Sequence, residues 1–224
     1  MNYFRTFALF FMLSSFGIQA CKNHQNHSSV KDVQYKKHGI DTSEGVPTGL
    51  HVGDLAPIFS YRVNGASYDL KTDLEKGPVL IMFYRGYWCP VCNRYLKTIE
   101  DSLSMVRKRG VKLLAISPQL DQYTTETREQ SGTSLDLISD TNRSIMNAYN
   151  VSFRSTDAYQ MKIQLGLLKN ISEANGGSED LPVPATFLID QNQRIVYRHF
   201  NPDYHNRASI KSVIAVIDSL NLVR

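Results

Sequence analysis

Only three of the 224 residues are cysteine, and one is tryptophan. The cysteines fall at positions 21, 89 and 92, too few for the disulfide framework that staples small secreted domains. No second cysteine pair accompanies Cys89 and Cys92, so the four-ligand zinc centre built from two such pairs is excluded. No charge sign dominates: 25 Lys and Arg against 21 Asp and Glu give a net +4. About half of that excess comes from Arg5 and residues 22–50, and the remainder carries no basic face suited to a nucleic acid. No apolar run is long enough for a comfortable membrane span, and no internal repeat is visible. What remains is a chain with 42% hydrophobic residues, sufficient for one globular domain with additions.

The N-terminus has the pattern of an export signal over residues 1–20. Arg5 supplies the positive start, "TFALFFMLSSFGI" the apolar stretch, and "IQAC" (residues 18–21) its end. Ala20 before Cys21 resembles the bacterial lipobox, in which the cysteine is lipidated. That resemblance implies a membrane-anchored lipoprotein facing the periplasm or the cell exterior, with Cys21 as the lipidation site. Residues 21–50 are rich in Lys, His, Ser, Asn and Gly without apolar periodicity, and are expected to form a flexible tether. His24 and His27 read as polar linker rather than metal ligands. The folded domain is expected over 51–224.

Within that domain Asn64-Gly65, between "FSYRV" and "SYDL", is a hairpin signal. Val79 to Tyr84 is a short apolar run consistent with a buried strand. Cys92, Leu96, Ile99, Leu103 and Val106 then mark one helix face, closed by Gly110. Further strands are expected at "VKLLAIS", "LDLIS", "VPATFLID" and "IVYRHF". Helices are expected around 120–130, at "NRSIMNAYN", within an insertion over 153–181, and through Ile210, Val213, Ile214, Ile217 and Leu220. This order describes an α/β sandwich with a central mixed sheet and helices on both faces.

The stretch "FYRGYWCPVC" carries the chemistry. A cysteine at a strand end and helix start sits among unpaired backbone N–H groups and the positive end of the helix dipole, which favour a thiolate. Pro90 suits the first helical turn. Cys92, one turn on, can attack a mixed disulfide on Cys89. This reading makes Cys89 an exposed nucleophile and Cys92 a deeper resolving thiol, with Trp88 at the rim. A zinc clamp and a permanent staple are the weaker readings, since a disulfide across two residues closes a small loop.

"WCPVC" after an apolar strand, with "VPATFLID" downstream, resembles the thioredoxin fold. That likeness implies a cis Pro184 facing the cysteine pair and shaping a substrate groove with Trp88. "VGDLAPIF", "FYRGYWCPVC", "AISPQ", "LISD", "LPVPATFLID" and "PDYHNRASI" together resemble the peroxiredoxin-like subgroup of the alkyl hydroperoxide reductase/thiol-specific antioxidant (AhpC/TSA) family, over about residues 51 to 220. In typical members a Pro-x-x-x-Thr-x-x-Cys motif carries the peroxide-reactive cysteine. Laid on this chain, it puts Arg85 at the Pro, Cys89 at the Thr and Cys92 at that cysteine. The family's activating arginine falls at Pro184, leaving Arg85, Arg94 or Arg207 as replacements.

The residues therefore point first to thiol–disulfide exchange with protein substrates through Cys89 and Cys92. The alternative implied by the resemblance is an antioxidant hydroperoxide reductase served by a thioredoxin-type electron donor. A lesser alternative is a copper metallochaperone that adds His199 or His205 to the cysteines. No resident metal, other cofactor or nucleic-acid partner is expected.

Overall fold

The computed structural model describes residues 33–220; the expected signal segment, Cys21 and the tether as far as residue 32 lie outside the described residues. A short helix over residues 33–37 (α1) precedes the hairpin of β1 (Ser60–Val63) and β2 (Ala66–Asp69). Next come α2 (Leu70–Lys76), β3 (Val79–Phe83), α3 (Pro90–Arg107), β4 (Lys112–Ser117), α4 (Thr124–Ser131), β5 (Asp136–Ser139) and α5 (Ser144–Ala148). The chain ends with β6 (Ser152–Arg154), α6 (Asp157–Leu167), α7 (Ile171–Ala174), β7 (Asp180–Pro182), β8 (Ala185–Ile189), β9 (Ile195–Phe200) and α8 (Ile210–Ser219).

Five strands form the central sheet in the order β5-β4-β3-β8-β9. β3, β4 and β5 run parallel, whereas β8 is antiparallel to β3 and to β9. The parallel steps pass through helical crossovers, and β8 to β9 closes as a hairpin, as connection geometry requires. Side chains alternate across β3. Leu80 and Met82 face a core completed by Cys92, Leu96, Ile99 and Leu103 of α3 and by Val213 and Ile217 of α8. Val79, Ile81 and Phe83 face the opposite core, with Leu70 and Leu74 of α2 and Ile145 and Met146 of α5. The expected sandwich is thus present. The Asn64-Gly65 turn has φ of 51° and 82°, the positive pair a two-residue hairpin needs.

The structure corrects three expectations. The flexible stretch expected over 21–50 does not extend through 33–50. Ile40 is buried and bridges Ser155, and Asp41 N–H donates to Arg154 O at 2.9 Å. Gly49 N–H donates to Asn150 O at 2.8 Å. Buried Ile40, these backbone bonds and the Arg198 side chain, which donates to Leu50 O at 2.7 Å and to Thr48 O, hold this segment as a strap, which periodicity cannot reveal. The bond before Pro184 is trans, since no described residue has a cis peptide. β7 continues extended into β8, with Val183 N–H donating to Val151 O at 2.8 Å, a path the ordinary trans geometry satisfies. The insertion also contributes the antiparallel pair β6–β7, hidden in sequence by strands of three residues each.

Candidate active site

β3 delivers the chain to a six-residue loop that ends at Cys89. Beyond Tyr84, whose N–H still donates to Ile116 O at 2.9 Å, side chains hold the loop in place. Tyr87 N–H donates to Gln119 Oε1 at 2.7 Å, Gln119 Nε2 donates to Thr127 Oγ1 at 3.0 Å, and Asn93 Nδ2 donates to Tyr87 O at 2.7 Å. At Gly86, φ is 144° and a Cβ would lie 2.7 Å from Trp88 Nε1, so a side chain there collides with the indole. Cys89 caps α3: its backbone is extended, Pro90 occupies the first turn, and its Sγ accepts the Cys92 N–H at 3.2 Å. Cys89 and Cys92 are joined as a disulfide, with Cα atoms 5.2 Å apart.

Each sulfur meets a guanidinium. Arg85 Nη2 lies 3.0 Å from Cys89 Sγ, and Arg207 Nη2 lies 3.2 Å from Cys92 Sγ. Arg85 comes from the loop after β3, and Arg207 from the segment between β9 and α8, so sheet order brings together residues 122 positions apart in sequence. Arg85 is 4% exposed and also bonds the Tyr159 hydroxyl through Nη1. Its Cζ stacks 3.6 Å from the Tyr204 ring centroid and 5.3 Å from that of Trp88. Its Nε has no hydrogen-bond partner. Arg207 keeps some surface in solvent, donates from Nε to Tyr204 O at 2.7 Å and stacks over Tyr95. Burial above all, then the neighbouring Arg207, pulls the Arg85 pKa down to about 9. Burial likewise lowers Arg207 to about 10, with the Tyr95 interaction opposing.

The expectation of an exposed Cys89 beside a deeper Cys92 is overturned: both are 0% exposed. Trp88 is no open rim either, being 3% exposed with its Nε1 unpartnered. Outside the motif, Tyr159 of α6 and Tyr204 of the β9–α8 segment clasp Arg85, the guanidinium that faces Cys89. The strap 33–50 backs both tyrosines. His38 meets the Tyr204 ring edge-on, and a Cβ on Gly39 would lie 2.2 Å from the Tyr159 ring.

Pro184 enters β8 at the sheet end that bears the cysteines, because Thr186 pairs with Met82 in the β3–β8 register. Among the candidate arginines the structure brings Arg85 and Arg207 to the sulfurs and leaves Arg94 exposed on α3. His199 pairs with Asn206 O and His205 with Asp203, and among the described residues no group of three or more His, Cys, Asp or Glu could hold a metal. Tyr159, Tyr204 and Tyr95 were not legible as site residues. Tyr204 lies in "PDYHNRASI", whose family likeness assigns the tyrosine no role, and the insertion bearing Tyr159 has no motif. A separate cleft lined by Asp41, Glu44, Asn150, Arg154 and Asp180 includes neither cysteine. Among the described residues no helix is long and apolar enough to cross a membrane.

This chain is similar to the thiol-disulfide oxidoreductase ResA of Geobacillus kaustophilus, 26% identical over 150 residues that cover 66% of this chain and 68% of the relative. It is 23% identical over 154 residues to a putative peroxiredoxin of Mycobacterium tuberculosis, covering 69% of this chain and 87% of that one. The solved structure of peroxidoxin BcpB from Mycobacterium tuberculosis superposes with a TM-score of 0.58 at 18% identity, covering 76% of this chain and 98% of that one, which supports the fold. The model of the AhpC/TSA family matches residues 52–198, spanning β1 to β9 and both cysteines, and the chain belongs to that family.

Proposed function

We propose that this thiol-based oxidoreductase works by cycling Cys89 and Cys92 between disulfide and dithiol in exchange with protein thiols. The observation that carries the reading is the double donation to Cys89 Sγ, from Arg85 Nη2 and from the Cys92 N–H at the head of α3. A thiolate at Cys89 would receive both donors and the helix dipole, whereas Cys92 has the single Arg207 contact. Cys89 is therefore the sulfur that bonds the partner, and Cys92 the one that closes or leaves the disulfide. Pro184 and Trp88 flank the approach, the latter after displacement from its buried position.

Exchange is tested by single-cysteine variants. Cys92→Ser should trap a mixed disulfide with a partner protein, and Cys89→Ser should trap none. The reverse pattern would refute this assignment.

Arg207 favours a second reading. It gives Cys92, the position matching the peroxide-reactive cysteine of the family, a cation at 3.2 Å despite Pro184 standing where the usual arginine belongs. Under that reading Cys92 thiolate takes the distal oxygen of a hydroperoxide, releasing an alcohol or water. Cys89 then attacks the sulfenic sulfur to form the disulfide with loss of water. A thioredoxin-type donor would restore the dithiol. Consumption of one equivalent of peroxide by Cys89→Ser, with a sulfenic acid on Cys92, would establish it. Both readings fit an exported lipoprotein anchored through Cys21, supported by the N-terminal signal pattern and lipobox likeness.

A further inference from the structure

Helix α6 is apolar on two sides. Tyr159 and Ile163 turn inward and are buried in the core. Met161 and Leu165, one turn apart, share the opposite face, and Leu168 follows at the helix end. These three are 61%, 74% and 85% exposed. A single exposed leucine is ordinary, but three large apolar side chains along one helix form a patch that asks for a partner. Leu168 is the sharper case. It closes α6 in the left-handed conformation at φ 53°, where glycine is the usual residue and a branched side chain is disfavoured. Neither packing nor capping accounts for a leucine there. A Cβ on Gly166 would meet no atom within 4 Å, so the last turn of the helix stands clear of the domain.

We propose that Met161, Leu165 and Leu168 dock α6 on an anionic lipid bilayer, with the helix lying in the plane of the headgroups. The proposal rests on the reading that the chain is anchored through Cys21. Lys162 and Lys169 adjoin the apolar side chains, the first exposed and the second half-buried over the Tyr87 ring. Lys36 and Lys37 are exposed on the strap. Among the described residues none of these four lysines pairs with a carboxylate. Apolar side chains bordered by unpaired lysines suit the boundary between acyl chains and acidic headgroups. The one carboxylate of α6, Asp157, lies in its first turn, away from Leu165 and Leu168. Chain length adds the second argument. Thr156 N–H donates to Gly39 O at 2.9 Å, so α6 begins beside the strap that leads back toward Cys21. Only residues 22–32 separate Cys21 from the strap, and even fully extended they reach about 40 Å. An anchor so close raises the effective concentration of lipid at α6, so a contact too weak to hold the freed domain becomes occupied. Tyr159 reaches Arg85 from the inner side of the same helix, so docking fixes the cysteine pair close to the lipid surface.

The test places the protein, expressed from its full chain, on vesicles of phosphatidylcholine with about one-quarter phosphatidylglycerol. The mass of its N-terminal peptide reports separately whether Cys21 carries lipid. Leu165→Trp and, on α3, Met105→Trp each put an indole at an exposed position, while the native Trp88 is buried. Emission from Leu165→Trp should move to shorter wavelength and be quenched by lipids brominated in their tails; emission from Met105→Trp should do neither. Adding Met161→Gln and Leu168→Gln to Leu165→Trp should remove the quenching with the melting temperature unchanged, and pure phosphatidylcholine should reduce it. Leu165→Trp without quenching, or quenching that survives the two Gln changes, would overturn the proposal. A wavelength shift without quenching that grows with protein density on the vesicle would make a second copy the occupant and overturn it equally. Quenching with an unacylated Cys21 defeats only the anchoring reading, while an acylated Cys21 without quenching defeats only the docking.

Discussion

Tyr159, on α6, hydrogen-bonds through its hydroxyl to Arg85, the residue whose other Nη contacts Cys89. A tyrosine from an insertion thereby holds the cation that faces the sulfur. Tyr159→Phe keeps the ring stacking and removes one hydrogen bond from a charged donor. The expected cost is about 1.5 kcal/mol in the placement of Arg85, or roughly a tenfold slower reaction at Cys89. Stopped-flow thiol exchange on the variant checks this; a rate equal to wild type would show that stacking alone places the guanidinium.

A stability prediction concerns the far side of the sheet. Asp73 is 5% exposed, accepts from the Tyr61 hydroxyl, and pairs with Lys112 Nζ at 3.0 Å. Tyr61→Phe leaves a buried carboxylate oxygen short of one donor. The variant should lose about 1–3 kcal/mol of folding stability with thiol chemistry unchanged. Calorimetric melting together with the exchange rate separates the two effects.

The strap should loosen in acid. Burial holds the His38 pKa below its ordinary 6.5; Asp203 opposes, while Lys37, His205 and Arg85 act with burial. The unfolded segment therefore binds a proton first as pH falls through 6.5, so the stability His38 contributes near neutrality is lost below that value. Hydrogen exchange of residues 33–41, corrected for intrinsic rates, should show more opening at pH 5.5 than at 7.5. His38→Asn should flatten the difference.

The proposed anchoring through Cys21 should be separable from the chemistry. Cys21→Ser should move the protein from the membrane fraction to the soluble one, with exchange activity per molecule unchanged. Retention in the membrane after signal processing would remove the lipoprotein reading.

Much of the scaffold was written in local pattern. The 4-3-4-3 spacing from Cys92 to Val106 became the buried face of α3, and Asn64-Gly65 became the hairpin turn, because each signal sits within a few residues. The cysteine pair and its place at a helix head were legible for the same reason. Its surroundings were not. The aromatic clasp on Arg85, which faces Cys89, depends on Tyr159 and Tyr204, which reach it only after the sheet order and the insertion are set. Arg207 could be guessed as a candidate, but its 3.2 Å approach to Cys92 is a long-range contact that spacing does not encode. The strap has no periodic signature in sequence because Ile40 is its main buried apolar anchor.

Complete enclosure of both sulfurs sets a kinetic rule. A reagent in solution cannot reach a buried sulfur, so reaction at either cysteine is expected to wait until the packing around the pair opens. The rate should rise with reagent concentration and then level at the opening frequency, the same plateau for chemically different reagents. Small thiols that merely diffuse are held to that ceiling. A protein able to grip Tyr204, or the strap behind it, can raise the frequency itself, so selectivity among thiols would be decided before any sulfur is touched.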